Sequence, residues 1–382
     1  MSAIYLDNQS TTPTKEAVLE EMKPFWNEKF GNPHSSEHFT GLIANQQIEI
    51  AKAKIANSAN CEVDEIFFTS GATEANNHAM FALSALGQQN ARKQVIISPI
   101  EHKCVIEAAS YWASVFKLDL QYVAVDRHGF IDIEHLKELL EIPTLFCSII
   151  GVNNEIGTMQ DLTTLGKVVQ SSGAILHSDL SQAPKAMALH GVLDYLDLAS
   201  FSGHKIGGPQ GIGCLYITAQ LHSQIQPLMH GGGQQQGIRS GTLPLPLCVG
   251  LGSAFSHLNS DDTEQMRLLR DHLFDGLKGN IPDISINGPK LSKRHAGNLN
   301  IRFPGIQAAD LLASLQPKIA ASSGSACSSG SIEPSYVIKA ISGDDRTAEE
   351  SIRLGVNEIQ TFEEIEIAVK IISKKYLNLL NK

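Results

Sequence analysis

Chemically useful side chains recur at one kind of position in this 382-residue chain, just after a short apolar run. Ser70-Gly71-Ala72-Thr73-Glu74 opens a helical pattern. Free backbone N–H groups and the helix dipole make it a phosphate cradle, or else an ordinary capped helix start. It is not a Walker A loop, because no Gly-Lys-Ser/Thr follows. His102, in Pro99-Ile100-Glu101-His102-Lys103, is a surface or cap residue, or a ring that stacks on a planar ligand. Asn153-Asn154-Glu155-Ile156-Gly157 is a turn, or a pair of amides orienting a polar ligand. Asp179 closes the run before Leu180-Ser181-Gln182. A carboxylate there needs a cation, a metal or several donors, unless it caps a helix. Lys205 follows Ser202-Gly203-His204 and precedes a glycine-rich stretch. Exposed, it is ordinary; buried, it is an amine nucleophile with a depressed pKa. Cys327 stands in Ser322-Ser323-Gly324-Ser325-Ala326-Cys327-Ser328-Ser329-Gly330-Ser331, where nearly every residue is small and polar. That composition predicts a mobile exposed loop and a reactive thiol.

The elements that position these groups alternate. Strands are expected at Glu65–Thr69, Gln94–Ser98, Leu120–Val125, Thr144–Gly151, Ala174–His177, Leu196–Ser200 and Gly213–Ile217. Several are apolar on consecutive positions, as parallel strands buried on both faces are. Helices are expected between them at Glu74–Leu86, Lys103–Phe116, Ile133–Leu140 and Thr164–Ser171. Such alternation predicts an α/β fold with a large, doubly wound, mostly parallel sheet. Ligands in such sheets bind beyond the carboxyl ends of the strands, which is where the groups above fall. After about residue 258 the pattern becomes α+β: a helix at 263–278, strands at 283–286 and 297–303, and helices Ala308–Leu315 and Phe362–Leu380. The expected division is a large domain over 15–258. A smaller one is made of 1–14 and 259–382 and carries the cysteine loop at about 321–334.

Thirty Lys and Arg against 40 Asp and Glu give a formal charge of −10. That balance argues against broad nucleic-acid binding, which needs a basic surface. No apolar run approaches a membrane span, and no secretory signal pattern opens the chain. Cys61, Cys104, Cys147, Cys214 and Cys248 fall in or beside apolar elements and read as packing. No Cys-x-x-Cys pair or zinc-like Cys/His spacing occurs, so neither a disulfide scaffold nor a metal site is expected, and the expected compartment is the reducing cytoplasm.

Taken in order, these motifs resemble the cysteine desulfurases, pyridoxal 5'-phosphate (PLP) enzymes of the aminotransferase class V type. The resemblance runs from Tyr5-Leu6-Asp7 to about Leu354 and includes His230-Gly231-Gly232-Gly233 and Arg239-Ser240-Gly241-Thr242. It implies the fold type I of PLP-dependent transferases, a homodimer and L-cysteine as substrate. By the same resemblance Lys205 would carry PLP as a Schiff base, Asp179 would face the pyridine nitrogen and Gln182 the ring hydroxyl. His102 would stack on the ring and serve as an acid–base group. Ala72, Thr73, Ser202 and His204 would hold the phosphate, and Thr242 would reach the phosphate of the neighbouring subunit. Asn154 and Arg353 would bind the substrate carboxylate. Cys327 would take the sulfur as a persulfide and pass it to an acceptor or scaffold protein, for iron–sulfur assembly, tRNA thiolation or DNA sulfur modification, without direct nucleic-acid contact. A PLP-dependent lyase or aminotransferase of the same fold is the alternative. Gln210, Gln234-Gln235-Gln236 and Leu354-Gly355-Val356 depart from the usual pattern of that family.

Overall fold

The computed structural model describes residues 3–324 and 334–381. Its centre is a seven-stranded sheet in the spatial order Ile66–Thr69, Gly213–Ile217, Leu198–Ser202, Ile175–Asp179, Thr144–Ser148, Gln94–Ile97 and Asp119–Tyr122. The strands from Leu198–Ser202 to Asp119–Tyr122 are parallel, whereas Gly213–Ile217 runs antiparallel to both its neighbours. Ile66–Thr69 therefore shares the direction of the parallel set. The expected mostly parallel, doubly wound sheet is present, with most strand ends within a few residues of expectation. The strand expected at Leu120–Val125 runs instead over Asp119–Tyr122, a partly exposed edge that leaves the ladder after Val123 bonds Ile97.

The consecutive apolar residues are explained by two covered faces. Ile66, Phe68, Ile96 and Leu176 pack with Ile48, Ile55 and Phe255 on one side. Phe67, Val95, Ile97 and Phe146 pack with Met80, Leu83 and Val105 on the other. The first side is covered partly by helix Phe39–Ala59, which the sequence pattern did not announce. Its buried stripe is mostly Gly41, Ala44, Ala51, Ala56 and Ala59, so it has little hydrophobic contrast to detect.

A second sheet is antiparallel, in the order Ser351–Gly355, Asn298–Arg302, Ser285–Ile286. Helices Ser260–Asn280, Ala308–Leu315 and Phe362–Leu380 enclose its core with Leu269, Leu299, Ile352 and Ile372. Leu6 belongs to this core, and Ile4–Tyr5 pairs with Ile319–Ala320. Residues 7–12 then cross to the large sheet: Asp7 bridges Gly355, and the Thr12 N–H donates to the His204 carbonyl at 2.9 Å. A Cβ at Gly355 would lie 2.9 Å from the Asn8 nitrogen, so the crossing chain needs glycine there.

His177, fully buried in the middle of the large sheet, links three strands. Its Nδ1 is 2.8 Å from Ser148 Oγ and its Nε2 is 3.1 Å from Ser200 Oγ. Burial, against the pull of Asp179, lowers its pKa from 6.5 to about 4. Burial similarly takes His295 down to about 3, with Lys185 and Arg270 adding to the effect. The unfolded chain therefore binds protons first. The stability these neutral imidazoles contribute is full above pH 6.5 and is lost as the pH falls towards about 4. The thermal unfolding midpoint should hold steady above neutrality and drop across that window, less steeply in His177→Gln. An identical acid slope in both proteins would remove His177 from the account.

Candidate active site

All strands of the parallel direction end at one edge, and the antiparallel strand Gly213–Ile217 begins there. The turns that follow enclose a cavity of about 740 Å³. Ala72, Thr73, His102, Asn154, Asp179, Gln182, Ser202, His204 and Lys205 all line it. Sequence positions spread over more than a hundred residues are thus brought together by strand direction alone.

Asp179 is the last residue of its strand and is buried. Its Oδ1 accepts from the Ser181 backbone N–H at 2.9 Å and from the Ser181 hydroxyl at 2.5 Å. Its Oδ2 accepts from Asn76 Nδ2 at 2.7 Å. These neutral donors keep the carboxylate in place, but among the described residues no cation forms an ion pair with it. Lys205 Nζ donates to the Gln9 and Ser10 carbonyls at 2.6 and 2.7 Å, so the crossing segment holds the amine at the cavity wall. Gln182 Nε2 donates to the same Gln9 carbonyl at 2.9 Å. His204 Nδ1 lies 3.1 Å from the Thr11 hydroxyl, and burial, aided by Lys205, pulls its pKa down to about 4.

Helix Ala72–Leu86 starts after Gly71, whose φ of 151° suits glycine, and no side chain caps it. Ala72 and Thr73 line the cavity, so the uncapped N–H groups of this first turn could accept an anion there. Glu74 in the first turn would oppose an anion, but Arg239 grips it at 2.7 and 3.0 Å and the Ser70 N–H donates to it at 2.8 Å. Burial raises the Glu74 pKa, but these bonds outweigh it and hold the carboxyl below its usual range. The departure at Gln234-Gln235-Gln236 has a local reason. The Gln235 amide pairs with both the N–H and the carbonyl of Phe68, fastening the segment that carries Arg239 to the strand before the cradle.

Arg353 does not line the cavity. It is buried behind it, where Nη2 meets Asp7 at 2.8 Å, Ser10 at 2.7 Å and Ser322 at 3.0 Å, and Nη1 meets the Asn154 carbonyl at 3.0 Å. Its Nε is buried with no partner among the described residues. Thr242 is exposed and does not line this cavity. Cys327 lies outside the described residues. The described residues on either side of that segment meet at one group: Ser335 Oγ donates to the buried Glu155 carboxylate, and Gly324 packs against it.

The sequence reading missed Asn76, Ser181, Ser10 and Thr11 as site residues and placed Cys104 with the packing cysteines. Cys104 lines the cavity. One signal existed for Asn76: a buried amide among Ala75, Ala79 and Leu83 on a helix face that is otherwise apolar. Nothing local marked the others.

The fold and this site define a class. The family model for aminotransferase class V matches residues 4–367. The chain belongs to that family and, within it, to the cysteine desulfurases. It is 40% identical over 375 residues, 97% of this chain and 90% of the relative, to the cysteine desulfurase IscS of Rickettsia bellii strain OSU 85-389. A solved NifS-like protein superposes with a TM-score of 0.90 at 34% identity, covering 99% of this chain and all of the other. SspA, solved in complex with cysteine, gives 0.82 at 31% identity over 94% of this chain and 100% of its own.

The Glu74–Arg239 pair can be weighed directly. Arg239→Ala should destabilise the protein by about 1–3 kcal/mol, since it strands a largely buried carboxylate. Adding Glu74→Gln should recover part of that loss in a double-mutant cycle by chemical denaturation. A coupling under ~0.5 kcal/mol would mean that the pair does not hold the cradle.

Proposed function

We propose that the chain converts L-cysteine to L-alanine, moving the sulfur to Cys327 as a persulfide and then to an acceptor protein. The observation that carries the reading is Asp179, a buried carboxylate facing the cavity with three neutral hydrogen bonds and no ion-pair partner among the described residues. A protonated pyridine nitrogen would supply that cation. The rest of the donor set fits PLP as well: an amine at Lys205, an amide at Gln182, an imidazole at His102 and an uncapped helix start for the phosphate. Bound PLP supplies an electron sink that loosens the α-proton and the Cβ–S bond of the substrate.

The chain's own residues have separate tasks in this reading. Lys205 would hold the cofactor and, once released, move the α-proton. Asp179 would keep the ring nitrogen protonated, Gln182 would bond the ring hydroxyl and His102 would lie against the ring face. Ala72, Thr73, Ser202 and His204 would hold the phosphate, joined by Thr242 from a second copy in a homodimer. Its exposure outside its own cavity supports that assignment. Asn154 and Arg353 would take the substrate carboxylate. The Nε, without a partner among the described residues, supports a role for Arg353, although Asp7 already occupies one face of the fork. The Cys327 thiolate would attack the substrate sulfur. An S–S bond forms, the Cβ–S bond breaks, the carbon takes a proton and alanine leaves. No described helix is long and apolar enough to cross a membrane. We place the enzyme in the cytoplasm, with a protein as sulfur acceptor and no direct nucleic-acid contact.

Purified protein with L-cysteine and dithiothreitol should yield equimolar alanine and sulfide. Cys327→Ser should keep the cofactor and lose both products; turnover at the wild-type rate would rule out the persulfide route. Lys205→Ala should lose the absorbance near ~420 nm that a lysine-bound cofactor gives, and an unchanged spectrum would refute the attachment site.

A further inference from the structure

The chemistry just proposed gives Cys104 no task, yet its thiol sits in the cavity wall between groups which that chemistry uses. Cys104 Sγ lies 3.0 Å from His102 Nδ1 and 3.3 Å from Asn76 Nδ2. The same Nδ2 is 2.7 Å from Asp179 Oδ2. The direction of each hydrogen bond along this line is forced. An amide oxygen turned to Asp179 would face a carboxylate, so Asn76 must present its NH₂ group, one hydrogen to Asp179 and one to sulfur. At the other end, the Cys104 backbone N–H donates to His102 Nδ1 at 3.2 Å, so that nitrogen must carry a lone pair. The thiol cannot accept from it. The S–H donates.

We propose that Cys104 is a positioning residue for His102: its S–H, oriented by Asn76, fixes a neutral imidazole with its proton on Nε2. The inference rests on the reading in which His102 serves this cavity, and it narrows what His102 does there. Nε2–H becomes a hydrogen-bond donor to the cavity contents. Proton uptake would have to occur at Nδ1, where an imidazolium N–H would confront two other donors.

The surrounding groups agree with this arrangement. Burial is the main force lowering the His102 pKa; Asp179 opposes it, while Lys205, Arg353 and Lys103 assist. Glu101, next in the chain, is fully buried, and burial followed by Asp179 pushes its carboxyl well above the usual range, which disfavours a negative charge there. Burial, then Asp179, also pushes the Cys104 thiol up to about 12, which keeps the S–H in place at neutral pH.

The test reads the pKa of His102 itself. Diethyl pyrocarbonate acylates only neutral imidazole, and peptide mass spectrometry locates the modified histidine. The full-length chain is treated from acid to neutral pH, before cofactor loading and after it. In the wild type, the rate at His102 should fall only at a pH below 6.5. Cys104→Ala should move that acid limb upward by about one pH unit, because one donor at Nδ1 is gone. Cys104→Ser, which keeps a donor, should retain the wild-type profile. Cys104→Val keeps the volume without a donor and should match Cys104→Ala, so it replaces that variant should the alanine protein not fold. A wild-type profile in the folded Ala or Val protein overturns the proposal, as does a Ser profile that follows Ala. The unloaded chain reports the network without cofactor or turnover, so failure here and failure of the desulfurase reading are separate results.

Discussion

A carboxylate buried at the end of a central strand is the constraint around which this molecule is arranged. Asp179 cannot leave water without compensation. The fold supplies Ser181 from the following turn and Asn76 from a helix about a hundred residues earlier. Among the described residues it supplies no ion-pair partner. Asn76 then extends the same network through Cys104 to His102, so a single amide couples the groups at both sides of the site. Below them His177 bridges three strands without charge. In the proposed reading, such neutral neighbours leave the positive partner of Asp179 to be supplied by the cofactor.

A second constraint is the crossing segment, residues 7–12. It starts in the core of the smaller sheet at Leu6 and ends against the turn that carries Lys205. On the way its carbonyls at Gln9 and Ser10 receive the lysine amine, and Asp7 receives Arg353. Two separate hydrophobic cores are thereby tied to one set of polar atoms. Gly355 is part of the same device, because any side chain there would push the segment away from the site it completes.

The large sheet was legible in the sequence because its strands are buried on both faces and read as unbroken apolar runs. The helices between them announced themselves by ordinary amphipathic spacing. Helix Phe39–Ala59 did not, since alanine and glycine form its buried stripe, and strand Ser351–Gly355 did not, since serine, arginine and glycine share it with only two large apolar residues. Asn76 and Cys104 sit within helices, where local context gives an amide or a thiol a packing role. Their meeting with Asp179 and His102 arises from sheet order, not from spacing.

The sequence by itself determined which chemically capable residues stand at strand ends, because the position after a buried strand is fixed by the run that precedes it. It also determined the family, through motifs kept in order along nearly the whole chain. Only the tertiary structure decided how those groups are held: that Arg353 is shared with Asp7 behind the cavity, that Glu74 is neutralised by Arg239, and that Cys104 belongs to the site. The physical reason is common to all three. Each is a contact between side chains far apart in sequence, and the polarity of a hydrogen bond or ion pair is set by both partners together.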